Sequence, residues 1–85
     1  MKIALVWKSE MPNLLRAEHG RRAYEIYANV GPNGHTESFE GRVRWRYSNR
    51  TIECRTFGGR VSVRRWLLDK ANNAGGDQAR PARAI

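Results

Sequence analysis

Between Gly41 and Arg50 three arginines alternate with three large apolar residues: Arg42, Val43, Arg44, Trp45, Arg46, Tyr47. A guanidinium is planar, permanently charged and able to bind phosphate or carboxylate through two parallel hydrogen bonds. Alternation at period two marks a strand with one buried and one wet face. The expected wet face therefore presents Arg42, Arg44 and Arg46 together, as a contact surface for a polyanion or an acidic protein. Arg55 on the next strand, Arg50 in the intervening turn, and Arg60, Arg64 and Arg65 just beyond extend the cluster. Tyr27 is opposite in parity to Ile26 and is the aromatic expected to stand on the exposed side. Trp45 and Tyr47 are candidate stacking platforms for single-stranded bases, but their parity with Val43 assigns them to the core.

Other chemistry has little support. His19 and His35 lie in separate segments, with no Cys or His at ligand spacing beside them, so no metal site is expected. Cys54 could partner a histidine as a nucleophile, yet its parity with Ile52 turns it toward the core, where thiols are usually inert. Gly58-Gly59 is a turn and not a phosphate-cradling loop. We expect neither enzymatic activity nor a cofactor.

These residues need a scaffold of 85 residues, enough for one modest core. The run at 2–8 reads as a buried strand. Met11-Pro12 breaks it, and Asn13 then caps a short helix over "LLRAEH" ending at Gly20. Residues 22–30 and 36–47 alternate and flank "GPNG", a strong turn signal, so they form adjacent antiparallel strands. With a two-residue loop at Asn49-Arg50, Ser48 pairs with Thr51, Tyr47 with Ile52, Trp45 with Cys54 and Val43 with Thr56. The same register sets Arg46 against Glu53 and Arg44 against Arg55. Like charges directly opposite destabilise a sheet, which suggests a use for them. Ser62 then caps a helix with Val63, Trp66, Leu67, Ala71 and Ala74 on one stripe. Arg64 and Arg65 fall in its first turn, where the macrodipole disfavours cations, and Arg65 can pair with Asp69. Gly75 and Gly76 stop it. The expected fold is α+β: a mainly antiparallel sheet of about four strands with one C-terminal helix packed on a face. Residues 1–74 form that single domain, and 75–85 a disordered basic tail carrying Arg80 and Arg83.

The net charge is +8, and it is unevenly placed. Residues 1–41 hold five cations and five carboxylates, whereas residues 42–85 hold eleven cations and three carboxylates. Thirteen of the sixteen cations are arginine. One cysteine permits no internal disulfide, and the apolar run "IALVW" is too short for a signal-peptide core or a membrane span. A cytoplasmic location, without membrane contact, is expected.

From Arg42 onward the order is strand, tight turn, strand, glycine turn, then a helix with "RRWLLDKA". Over roughly residues 22–74 this pattern resembles the AP2-like arm-binding DNA-binding domains of phage and transposon integrases. The resemblance implies that the exposed strand face enters the major groove, with Arg42, Arg44, Arg46 and Arg55 as contacts. The stretch before the helix is "GGRVSV" here, where that family usually has Thr and Lys. The leading expectation is a small basic nucleic-acid-binding accessory protein, of the kind phages and mobile elements encode. The alternative is a small phage-type inhibitor, anti-CRISPR-like, that binds a host or defence nucleoprotein complex through the same arginines.

Overall fold

The computed structural model describes residues 3–48 and 50–79. Five strands, β1 (Lys8–Met11), β2 (Leu14–His19), β3 (Arg22–Val30), β4 (Thr36–Trp45) and β5 (Thr51–Phe57), precede one helix, α1 (Arg60–Ala79). The strands form one sheet in the order β1-β2-β3-β4-β5, every neighbouring pair antiparallel. The α+β class is as expected from the sequence, with one strand more.

The extra strand, β2, lies in the N-terminal third. Residues 14–19, expected as a helix, form β2. Six residues cannot stabilise an isolated helix, whereas the strand pairs along its whole length with β3, from Leu14↔Tyr27 to His19↔Arg22. Gly20 makes that hairpin possible: its φ is 63° and Arg21 has no positive φ, the pattern of a two-residue II′ turn. The buried strand expected over residues 2–8 is also displaced. Ile3 to Trp7 carries no strand pairing, and Ile3 N donates to Asn72 Oδ1 at 2.8 Å. Its side chains alternate, with Leu5 and Trp7 packed against the core and Ala4 and Val6 outward. β1 begins only at Lys8 and is exposed throughout.

The core lies between one face of the sheet and α1. Tyr24, Ile26 and Val43 meet Val63, Leu67 and Ala71, with Trp66, Phe39, Phe57 and Ile52 around them. Fully burying a side chain such as Leu67 contributes about 1.5–3 kcal/mol. The expected helical stripe is thus realised from Val63 to Ala71. Close approach depends on Gly41, where a methyl group would lie 2.7 Å from Val63 Cγ2 and 3.2 Å from the Trp66 ring.

The helix boundaries differ from those expected. Val63 N donates to Gly59 O at 3.3 Å, so Gly59 precedes the first turn and Ser62 lies inside it. The cation in the first turn is therefore Arg60, while Arg64 and Arg65 stand in the second. α1 also continues through Gly75 and Gly76 to Ala79. A glycine weakens a helix by about 1 kcal/mol relative to alanine and does not by itself end it. Residues 75–79 of the expected tail are helical, and 80–85, with Arg80 and Arg83, lie outside the described residues.

The register between β4 and β5 is shifted. Phe39 pairs with Phe57, Gly41 with Arg55, Arg42 with Cys54 and Val43 with Glu53. A two-residue hairpin loop needs residues that accept positive φ, and Arg50, the second residue of the expected loop, has none. A longer loop forms instead, closed by Trp45 N donating to Arg50 O at 3.0 Å. The shift from the expected register is three residues. An odd shift exchanges the faces of β5 relative to β4.

Candidate nucleic-acid interface

The sheet face away from the helix carries Arg42 and Arg44, as their parity requires, but it is not a face of guanidinium groups alone. Arg44 pairs with Glu25, 3.2 Å across the β3–β4 ladder, and Arg16 of β2 reaches the other oxygen of Glu25 at 2.8 Å. Glu25 is only 2% exposed. Arg16 also binds Glu18 at 3.1 Å, and Glu18 in turn pairs with Arg46 at 3.3 Å. Arg42 pairs with Glu40 and lies 4.2 Å over the ring of Tyr27. These carboxylates come from the electrically neutral first half of the chain. Parity from Tyr27 outward places Glu25 on this face, and that signal was available in the sequence. The partner strand β2 was not.

Cys54 is exposed on this same face rather than buried. Its pairing with Arg42 in place of Trp45 accounts for the reversal. The thiol donates to Glu40 Oε2 at 3.0 Å. That hydrogen bond, followed by the Arg42 contact, holds the Glu40 carboxyl below its ordinary range. Conversely, the Glu40 carboxylate and partial burial push the Cys54 thiol up. Nucleophilic chemistry needs the thiolate, so this site disfavours it despite its exposure.

The expected opposition of Arg44 and Arg55 does not occur. Arg44 faces Thr51, and Arg55 lies opposite Gly41 on the helix side of the sheet. There it sits 5.3 Å over the ring of Phe57, while Arg60 sits 5.8 Å over the ring of Phe39. Arg64 and Arg65 are exposed on α1. Among the described residues, Arg65 and Asp69 form no ion pair. Lys70 takes the helix's contact with the sheet carboxylate, reaching Glu53 at 2.7 Å. Beside Arg60 and Arg64 an apolar groove of about 290 Å³ opens over Leu15, Ile26, Ala28 and Phe39.

Two cation–ring pairs stand where β4 ends. Tyr47 is 79% exposed and Trp45 39%, although both were expected in the core. The longer loop is the reason: it carries Tyr47 off the ladder and leaves Trp45 at its last rung, opposite Arg22. Arg22 lies 5.3 Å over Trp45, and Arg46 lies 5.4 Å over Tyr47. The neighbouring β2–β3 turn is tied to this loop, since Arg46 N donates to Arg21 O at 2.8 Å and Arg46 Nη1 to Gly20 O at 3.2 Å. Arg21 and Arg50 are exposed beside them. Behind Tyr47, a polar depression of about 340 Å³ is lined by Arg16, Arg44, Arg46, Tyr47 and Ser48.

The sequence-predicted residues therefore fall on three surfaces. Arg42, Arg44 and Tyr27 share the ion-paired open face. Arg46 and Arg50 belong to the aromatic end of the sheet. Arg55, Arg60, Arg64 and Arg65 surround the helix start. Among the described residues no group of three or more His, Cys, Asp or Glu could hold a metal ion, and no helix is long and apolar enough to cross a membrane. Comparison of the chain with protein-family models, curated proteins and solved structures returns no match.

Proposed function

We propose that the protein is a small nucleic-acid-binding accessory protein, and that it grips single strands at the hairpin end. The observation that carries this reading is the exposure of Trp45 and Tyr47 at the end of β4, each with an arginine over its ring, Arg22 and Arg46 respectively. Aromatic rings interleaved with cations offer bases a stacking surface and phosphates a charge, without requiring a base sequence. The major-groove mode implied by the AP2-like resemblance would need Arg42, Arg44 and Arg55 on one face. Arg55 stands on the other face of the sheet from Arg42 and Arg44, which counts against that mode.

The test is anisotropy of a labelled oligothymidylate, with a duplex of the same length beside it. Tight binding of the single strand is expected, accompanied by quenching of tryptophan fluorescence. With about four phosphates contacted, the log–log salt slope should be about −3. No binding to either form at low salt overturns the reading. The alternative reading, an inhibitor directed at a nucleoprotein complex, draws its support from the groove beside the helix.

A further inference from the structure

We infer that the groove beside α1 is a docking site for an acidic segment of a protein partner, anchored by one large apolar side chain. This inference does not depend on nucleic-acid binding.

The groove is a gap in the cover of the sheet. The chain's own residues Ile3 to Trp7 run along the same flank of α1, tied to Asn72, and lay Leu5 and Trp7 against the core. Toward the start of the helix no segment of the described chain continues that cover. Leu15, Ile26, Ala28 and Phe39 form the floor there, and the β1–β2 turn at Pro12-Asn13 forms the far wall. At about 290 Å³ the groove sits at the lower limit of small-molecule sites, about 300 to 1,000 Å³, and has room for one large side chain.

Charge selects the chemistry of the flanking residues. Arg60 and Arg64 stand one helical turn apart on the near wall, and the lining residues include no carboxylate. Arg60 lies over Phe39, so its charge sits directly beside the apolar floor. Its position in the first turn of α1 adds the positive end of the helix dipole. An occupant with carboxylates on either side of an apolar anchor matches both walls. A basic segment is repelled.

The probe is a short fluorescein-labelled peptide of glutamates around one central phenylalanine. It should bind. Replacing its phenylalanine by serine, or its glutamates by lysines, should each weaken binding by about tenfold or more. Ala28→Trp fills the groove and should abolish binding. Arg60→Glu with Arg64→Glu, which changes only exposed side chains, should do the same if the filled variant fails to fold. Trp45→Ala with Tyr47→Ala should leave the peptide bound, which separates this site from the stacking surface. Equal binding of the serine peptide would mean charge attraction alone and overturns the inference. So does displacement of the peptide by an oligothymidylate on that double variant, which would give the groove to nucleic acid. Self-association that Ala28→Trp abolishes would give it to a second copy, and likewise overturns it.

Discussion

On the open face of the sheet, Arg16 and Arg44 close on Glu25 from two neighbouring strands, whereas at the end of β4 Arg22 and Arg46 lie over aromatic rings that stand in water. Both surfaces draw on the same arginine-rich stretch. On the first, each guanidinium offsets a carboxylate whose burial would otherwise cost several kcal/mol. On the second, the rings stand in water, and Arg46 divides its contacts between Glu18, Gly20 O and the ring of Tyr47. A count of arginines cannot separate these cases, because the separation depends on which strand lies alongside.

The contrast is sharpest in the response to mutation. Glu25→Gln removes the charge that Arg16 and Arg44 share, and should cost about 2–4 kcal/mol in urea unfolding, somewhat less than a fully buried pair because both guanidinium groups keep some contact with water. Oligothymidylate affinity should change little. Changing Arg42, Arg44 and Arg46 together to Ala tests the face from the other side. A bare solvated face would lose within about 0.5 kcal/mol. With Glu25 and Glu18 each stripped of one partner and Glu40 of its own, a loss of about 2 kcal/mol or more is expected instead. A loss within the first range would mean that the ion pairs contribute nothing.

Trp45→Ala with Tyr47→Ala should invert this pattern. Each stacked base contributes about 1–3 kcal/mol, so oligothymidylate affinity should fall by tenfold at least, while the thermal midpoint moves only slightly. Arg50→Ala should lower the salt slope by about 0.7 for the single phosphate lost, whereas Arg42→Ala should leave the slope unchanged. Equal slopes for the two variants would erase the distinction between the surfaces.

The smallest effect concerns pH. Glu40 has a lowered pKa in the folded protein, so its contribution is present above the ordinary carboxylate range and fades as pH falls through the folded value. Cys54 is raised, so its contribution is present below the ordinary thiol range and fades as pH rises through its folded value. The stability difference between wild type and Glu40→Gln should therefore be greatest between the two ranges. Thiol labelling of Cys54 should be slow at neutral pH despite its exposure, and Glu40→Gln should accelerate it.

Much of the scaffold was legible in the residues. The alternation from Arg22 to Val30 marks β3 with its observed ends, and the stripe from Val63 to Ala71 is the one that packs. What could not be read is instructive. "LLRAEH" is too short for period 2 to be told from period 3.6, and its identity as a strand rests on pairing with β3. The β4–β5 register is set by the Phe39–Phe57 pair and by Gly41 lying under the helix. Both belong to packing across the sheet. Parity within β4 was read correctly for Val43, Arg42 and Arg44. It failed at Trp45 and Tyr47 because the strand ends where the loop begins.

The order of the sheet also bears on how the chain folds. Each strand pairs with its neighbour in sequence, so every hairpin closes across a short connection. Such topologies have low contact order and fold quickly. On a ribosome, β1 to β4 could zip together before α1 emerges, with the apolar side of the sheet exposed for that interval. The bond from Ile3 N to Asn72 spans 69 positions and must form late. It joins the first described residue to the helix that arrives last, and so acts as the latch on an already assembled sheet.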